Sequence, residues 1–352
     1  MNPSVRRFLK MASPLKVSAI YLWVIFGVLF GIMEGKNYLS VSSGQIVFSE
    51  GAVTAVLALA FLVPLTTDTF DLSIGEMMSL SVVIMCWMGK NTHVPIPVVC
   101  LGLVVLGGLF GAVSGFIVVK LKVNSLIATL GMSQVIMAIA LLWSRNSTIY
   151  SVFSPAVLSW GNRTFFKVPV LDIYLLVFAT IIWFVLEQTP LGRRMFATGG
   201  NPEAARLVGI RTNKIVWGSL VASGMIAACA GIMYTLQIGS YTSDVGSGYL
   251  FPALTAVFFG ASQLSQRPNV WGTVIAYFCL AWGIQGLDLR FGVQTYWVSP
   301  MFEGLALVIA VAIASWRGSV GGGRDSKFLR RFGQKKELAA VEAGDELSEE
   351  EG

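Results

Sequence analysis

Among the carboxylates within or beside long apolar runs, Asp68, Asp71, Glu76 and Glu303 stand out. Ionisable groups at membrane depth are costly and mark solute or ion pathways by default, so these are the first candidates for chemistry. Glu76 and Glu303 are of the type that relays protons, and a relay would make the chain a proton-coupled secondary transporter acting alone. No histidine or basic residue lies in the interior of the same runs to complete it, so that reading ranks second. Asp71 opens the segment DLSIG, where an N-cap for the following helix is the simpler role. Polar residues at helix ends or within apolar runs can hydrogen-bond the hydroxyls of a small polar solute. Asp71, Ser73, Asn124, Ser125 and Gln285 are the expected translocation-pathway positions on that ground. A cap or an interhelical bond is the competing role of each.

Catalytic machinery is missing from the pattern. No G-x-x-x-x-G-K-S/T phosphate loop is present, and GSVGGG at 318–323 lacks the Lys-Ser/Thr that would follow. No zinc spacing, nucleophile elbow or Cys–His pair is found, so no catalytic residue, cofactor or metal ion is expected. Cys86, Cys100, Cys229 and Cys279 lie in apolar runs without paired ligand spacing and read as small buried hydrophobes. His93, the only histidine, falls in a loop.

The longest strongly polar interruption is Thr189 to Lys214, TPLGRRMFATGGNPEAARLVGIRTNK. It encodes a short helix with both ends marked. Asn201 is a suitable N-cap, Pro202 fits the first helical position, and Glu203 suits the positive end of the helix dipole. Gly209 supplies the C-terminal cap. Ala204, Leu207, Val208 and Ile210 are then presented outward. Arg193, Arg194, Arg206, Arg211 and Lys214 surround the element, which reads as a surface gripped by a cytoplasmic partner.

The elements that position these residues follow from composition. The chain has 352 residues, 55% hydrophobic and 12% charged, about half the charged share of a soluble domain. Apolar runs of membrane-spanning length recur, and short alternating barrel segments are absent, so the fold class is an all-α polytopic membrane helix bundle. Spans are expected near 17–33, 46–66, 72–90, 95–119, 124–143, 169–187, 214–236, 249–262, 269–287 and 297–316, about ten transmembrane helices. The first is expected to be retained, because no small-x-small cleavage site follows it. The eighth is short enough to be a half-helix. With the N-terminus inside, basic residues number four before the first span, two at 120–122, five in 189–214, one at 267 and seven in 317–336. The other side holds six of the 25. That asymmetry supports N-in, C-in and explains the net charge of +6 without nucleic acid. The domain plan is a basic cytoplasmic N-terminus at 1–16, a transmembrane domain at 17–316 and a cytoplasmic, disordered tail at 317–352. Two N-x-S/T sequences, at Asn146 and Asn162, read as chance. Gly107, Gly111 and Gly115 in the fourth span are spaced for close helix packing, within one chain or between two.

Four stretches taken together resemble the permease subunits of bacterial ribose-type carbohydrate ABC transporters. FDLSIG at 70–75 is similar to that family's (I/F)DLSxG segment, and VNSLIATLGM at 123–132 to its VxxFIxTLG segment. TPLGRRMFATGGNPEAARLVGI at 189–210 is similar to TxxGRxxxAxGGNxxAAxxxGI. GIQGLDLRFGVQTYW at 283–297 resembles the G-x-x-N-G-L-N-L-x-G-V region. The likeness runs over roughly residues 45–316. Two departures bear on the solute: GASQLSQRPN at 260–269 stands where a glycine-rich GGxSLxGGxG segment is usual, and Gln285 and Asp288 replace two asparagines. The resemblance implies a permease in the bacterial inner membrane that pairs with a second permease chain. It also implies cytoplasmic ABC ATPase subunits and a periplasmic solute-binding protein that delivers a sugar or similar solute. It makes 189–214 the coupling loop, with Gly199, Gly200, Asn201, Glu203, Ala204, Ala205, Arg206, Gly209 and Ile210 meeting the ATPase.

Overall fold

A backbone crossing hydrocarbon has to satisfy its own hydrogen bonds, and this chain does so almost wholly with helices. The computed structural model describes residues 18–320 apart from 151–152, 167, 244, 265–266 and 293–296. The expected N-terminal segment and the tail from 321 lie outside the described residues. The helices are α1 (Ser18–Glu34), α2 (Val41–Leu65), α3 (Ile74–Asn91), α4 (Ile96–Lys120), α5 (Ser125–Ser144), α6 (Pro155–Asn162) and α7 (Val170–Trp183). They continue with α8 (Pro190–Gly200), α9 (Pro202–Leu207), α10 (Thr212–Ile238), α11 (Val245–Leu264), α12 (Val270–Phe291) and α13 (Val298–Val320). A π-turn, Phe184–Gln188, extends α7.

Among the described residues, α2, α4, α5, α10, α12 and α7 with its π-turn are long and apolar enough to cross a membrane. Shorter apolar helices occupy Tyr21–Glu34, Val245–Ala261 and Val298–Ala312. The eighth expected span differs most from its expectation: α11 has 20 residues and carries Pro252 inside it. Its first turn, Val-Gly-Ser-Gly, is neither apolar nor helix-favouring in isolation, and packing supplies what propensity lacks. Gly75 of α3 and Gly246 of α11 meet backbone to backbone there.

The core is built around α2. Every residue from Gly51 to Pro64 is buried, and a helix that is apolar on all sides belongs in an interior. It packs against α10, α11, α12 and α7. Outside it, α4 and α10 form the most extensive helix pair, joined along a seam of small residues. A Cβ added at Gly107 would strike the Gly224 carbonyl, one at Gly111 the Leu220 carbonyl, and one at Gly224 the Gly107 carbonyl. The indole of Trp217 donates to the Ala112 carbonyl at 3.1 Å beside Gly115. The glycine spacing thus serves packing within one chain. In the segment between α5 and α7, strand Ile149–Tyr150 pairs antiparallel with the distant Ser240–Tyr241, and Thr164–Phe165 pairs locally with Val168–Pro169. The cysteines are free, with Cys86 and Cys279 buried and Cys100 and Cys229 half-buried.

Gly111→Val is expected to force α4 from α10, at a cost of about 1–3 kcal/mol from overpacking. Gly102→Ala, where an added Cβ meets nothing within 4 Å, is expected to leave stability unchanged or slightly raised. Thermal unfolding of the detergent-solubilised variants checks both.

Candidate functional site

The connection between α2 and α3, residues 66–73, carries Thr66, Thr67, Thr69, Asp71 and Ser73, all buried. A polar strand of backbone at this depth needs partners. Thr66 and Thr67 turn back on the end of α2, donating to the carbonyls of Val63 at 2.7 Å and Pro64 at 2.8 Å. Helix α5 supplies the rest. The Ser125 hydroxyl accepts from the Phe70 N–H at 3.2 Å, and the Thr129 hydroxyl accepts from the Leu72 N–H at 3.1 Å.

Asp71 is completely buried. Its Oδ1 accepts from both the N–H and the hydroxyl of Ser73, at 3.1 and 2.6 Å. The N-cap position is Ser73, two residues beyond the expected Asp71, and its own side chain makes no capping bond; the Asp71 carboxylate closes a tight turn before the helix begins. The Ser223 hydroxyl on α10 is near enough to bear on the carboxylate. It forms no hydrogen bond of normal geometry, and Oδ2 has no partner.

The 189–214 stretch holds more structure than expected. The Thr189 hydroxyl caps α8 by accepting from the Gly192 N–H at 3.4 Å, and α8 fills the positions read as plain loop. Helix α9 follows as expected: Asn201 accepts from the Ala204 N–H at 3.1 Å and Pro202 opens the helix. Gly209 closes it at φ +82°, in the left-handed region that glycine enters without steric cost. Leu207 and Val208 stand 89% and 76% exposed at its tip, whereas Ala205 is buried against its own chain. The Arg206 side chain is exposed and folds back on its own chain, donating to Thr212 Oγ1 at 2.8 Å and Asn213 Oδ1 at 3.3 Å. Glu203 and Ala204 are exposed and Ile210 is half-buried.

Gly199 joins the two regions. A Cβ there would overlap the Thr66 carbonyl oxygen and come within 3.0 Å of the Asp68 nitrogen, so the end of α8 seats directly on the α2–α3 connection. Gly200 has open space around it. Arg267 fastens the same assembly from another side: it pairs with Glu187 at 2.8 Å and lies over the Phe196 ring at 4.6 Å. Beneath the seat is a polar cavity of about 670 Å³ lined by Asp68, Thr69, Lys122, Ser125, Thr198 and Arg206, among others.

The five pathway positions do not converge. Asp71, Ser73 and Ser125 share this one region, with Asn124 adjacent as the cap of α5, accepting from the Leu126 N–H at 2.9 Å. Gln285 lies beyond Trp282, which packs near Gly44 at the start of α2. It is removed from Asp71 by nearly the length of α2, about 37 Å at 1.5 Å per residue. Near that far end a second polar group forms that the sequence reading did not single out as a whole. Glu50 of α2 and Asp288 of α12 lie within electrostatic reach of each other, as do Asp288 and Glu303 of α13. Tyr277 packs in the same region, its ring against Phe278 and close to Gly51 of α2. A glutamate inside the apolar run 46–66 was the available signal for Glu50. Among the described residues no acidic, histidine or cysteine cluster is arranged to hold a metal ion.

Asp71→Leu removes the acceptor of a buried N–H and hydroxyl, and a cost of about 1–3 kcal/mol is expected. Asp71→Asn keeps an acceptor at Oδ1 and is expected to cost less than half as much. Melting temperatures of the purified variants test the ordering, and equal losses would refute it.

The model of the family "branched-chain amino acid transport system / permease component" matches residues 45–313. The chain is 31% identical to the fructose import permease protein of Rhizobium meliloti, over 87% of this chain and 86% of that one. It is 28% identical to the galactose/methyl galactoside import permease protein of Haemophilus influenzae, over 86% and 94% of the two chains. It is 29% identical to the ribose import permease protein of the same organism, over 82% and 89%. No solved structure matches the chain. With apolar helices of spanning length and a family match over most of its residues, the chain is a multi-pass membrane protein that belongs to the permease-component family of branched-chain amino acid transport systems.

Proposed function

We propose that this chain is the inner-membrane permease subunit of an ABC importer for a sugar or similar small polar solute. Separate ATPase subunits power it, a periplasmic binding protein delivers the solute, and a second permease chain completes the pathway. The observation that carries the reading is the seat of Gly199 on Thr66–Asp68. It gives a continuous, rigid line from the exposed tip of α9 to the buried Asp71 turn. A displacement imposed on Leu207 and Val208 by a partner would pass through Gly199 to the connection that α5 holds. Such transmission is what alternating access demands of a subunit with no phosphate loop of its own.

Support for the solute class comes from the relatives, which import fructose, galactose or methyl galactoside, and ribose. Within the class, Gln285 and Asp288 are the positions where this chain departs from the sugar-permease pattern. The Ser299 hydroxyl donates to Asp288 at 2.7 Å, which ties the start of α13 to the end of α12. We assign ten spans with both termini inside, the arrangement that puts α8 and α9 on the ATPase side.

Uptake in proteoliposomes is expected only when ATPase subunits and ATP are supplied. Uptake by this chain alone, driven by a pH gradient and abolished by Glu76→Gln, would overturn the proposal in favour of a proton-coupled carrier. Leu207→Glu and Glu203→Arg are expected to lower ATPase co-purification at least tenfold, roughly the loss of one buried anchor, with melting temperature unchanged. Gly199→Val is expected to leave ATPase binding in place while uptake falls. ATPase co-purification and uptake unchanged in all three variants would remove the coupling assignment.

A further inference from the structure

A groove of about 420 Å³ lies between α2, α7 and α12, lined by Val41, Phe48, Asp172, Leu176, Val274 and Phe278 among others. Its walls are apolar except for Gln45 and one carboxyl group, that of Asp172, which the Gln45 amide does not hydrogen-bond. Asp172 is 8% exposed, and neither of its oxygens has a hydrogen-bond partner. Among the described residues it is the one buried carboxyl group with both oxygens unbonded. The ordinary reason for an acid in a first helical turn is the free N–H groups and dipole of that end. Here no N–H of the turn reaches the carboxylate, so capping does not account for it. A buried carboxyl that the protein leaves without donors calls for a donor from outside.

The position of the groove says what kind. Its rim residues Val41 and Leu176 are 63% and 49% exposed on the outer surface of the bundle, so it opens toward the surrounding hydrocarbon. Val41 is the first residue of α2 and Asp172 lies in the first turn of α7. This end of the groove therefore lies at a membrane boundary, at headgroup depth. The other end runs inward along Phe48 to Phe278 and Val274. A polar group at headgroup depth with an apolar trough leading from it matches one lipid molecule.

We propose that this groove binds a phospholipid with a primary-amine headgroup, phosphatidylethanolamine, from the bilayer. One acyl chain lies along Phe48 and Phe278, and the ammonium donates to the Asp172 carboxylate. Charge decides among headgroups. An ammonium brings three N–H donors and the opposite charge. A choline headgroup has the charge without a donor, and a glycerol headgroup leaves the phosphate's negative charge uncompensated beside the carboxylate. The site is independent of the transported solute and of which side of the membrane is inside.

The test is lipid competition on the full-length chain purified in mild detergent, read by native mass spectrometry. The probes are phosphatidylethanolamine, phosphatidylcholine and phosphatidylglycerol at equal concentration. The wild type is expected to retain one phosphatidylethanolamine, preferred roughly tenfold or more, the ratio that one charge-assisted hydrogen bond carries. Asp172→Asn is expected to abolish the preference, Asp172→Glu to keep it, and Leu176→Trp, which narrows the rim, to lower retention of all three. Equal retention of the three lipids by the wild type would overturn the proposal, and this arm needs no variant to fold. An unchanged preference in a folded Asp172→Asn would overturn it as well. So would a disulfide between two copies of Leu176→Cys in native membranes, since the groove would then be covered by a second chain.

Discussion

The close approach of Gly199 to the α2–α3 connection is the contact on which the proposed coupling depends. Backbone meets backbone there, with no side chain in between to absorb motion. On one side lies a short helix whose apolar tip is exposed. On the other lies a turn whose backbone donors are held by Ser125 and Thr129 of α5. Each of these hydrogen bonds contributes only about 1 kcal/mol net, but leaving any one unmade at this depth costs more. The connection is therefore stiff because it has no cheap alternative partners. Its stiffness makes the Gly199 contact a mechanical one rather than a mere point of packing.

The rest of the bundle divides according to how firmly it is fixed. Helix α2, buried all round from Gly51 to Pro64, and the α4–α10 seam, with carbonyls facing glycine Cα atoms, leave no room for sliding. Dispersion at such distances falls away within an ångström of separation, so these parts move together if they move at all. Helices α8 and α9 add polar ties to the close contacts of Gly192 and Gly199 and the buried Met195. Arg206 reaches Thr212 and Asn213, and Arg267 reaches Glu187 and Phe196. Partly exposed ion pairs stabilise by about 1 kcal/mol or less. These ties can thus re-form at small cost while the Gly199 seat and the seam keep their register.

Much of this was legible in the residues, and the reasons for the gaps are physical. Helices could be read because hydrocarbon thickness dictates a run length, and expected bounds fall within a few residues of helices, six of which are long and apolar enough to cross a membrane among the described residues. The α9 signals could be read because Asn201, Pro202 and Gly209 act locally, through atoms within one turn. Helix α8 could not, since GRRMFATGG has weak helical propensity and Gly192 and Gly199 are needed there for close backbone contacts. The inward turn of Ala205 and the fold-back of Arg206 were hidden for a similar reason: which face of a two-turn helix is covered depends on the first turn of α10. Close glycine spacing pointed to packing but could not name the partner helix, which only the fold supplies. Asp172 was overlooked because a first-turn acid looks explained until its hydrogen bonds are counted.

The polar residues at the two ends of α2 stand in different chemical situations. At one end Asp71 spends Oδ1 on Ser73, and Ser125 and Thr129 are committed to the backbone of the connection. Groups so occupied shape a wall and hold it, and of this set only the Asp71 Oδ2 is left without a partner. At the other end Glu50 is exposed, Gln285 and Glu303 are half-buried, and the Tyr277 ring is beside them. Carboxylates, an amide and aromatic faces are the chemistry that recognises a sugar, by accepting from hydroxyls and stacking on C–H surfaces. On the proposed function, hydrogen-bond accounting gives the Asp71 end the coupling connection and the Glu50 region the polar capacity for a solute.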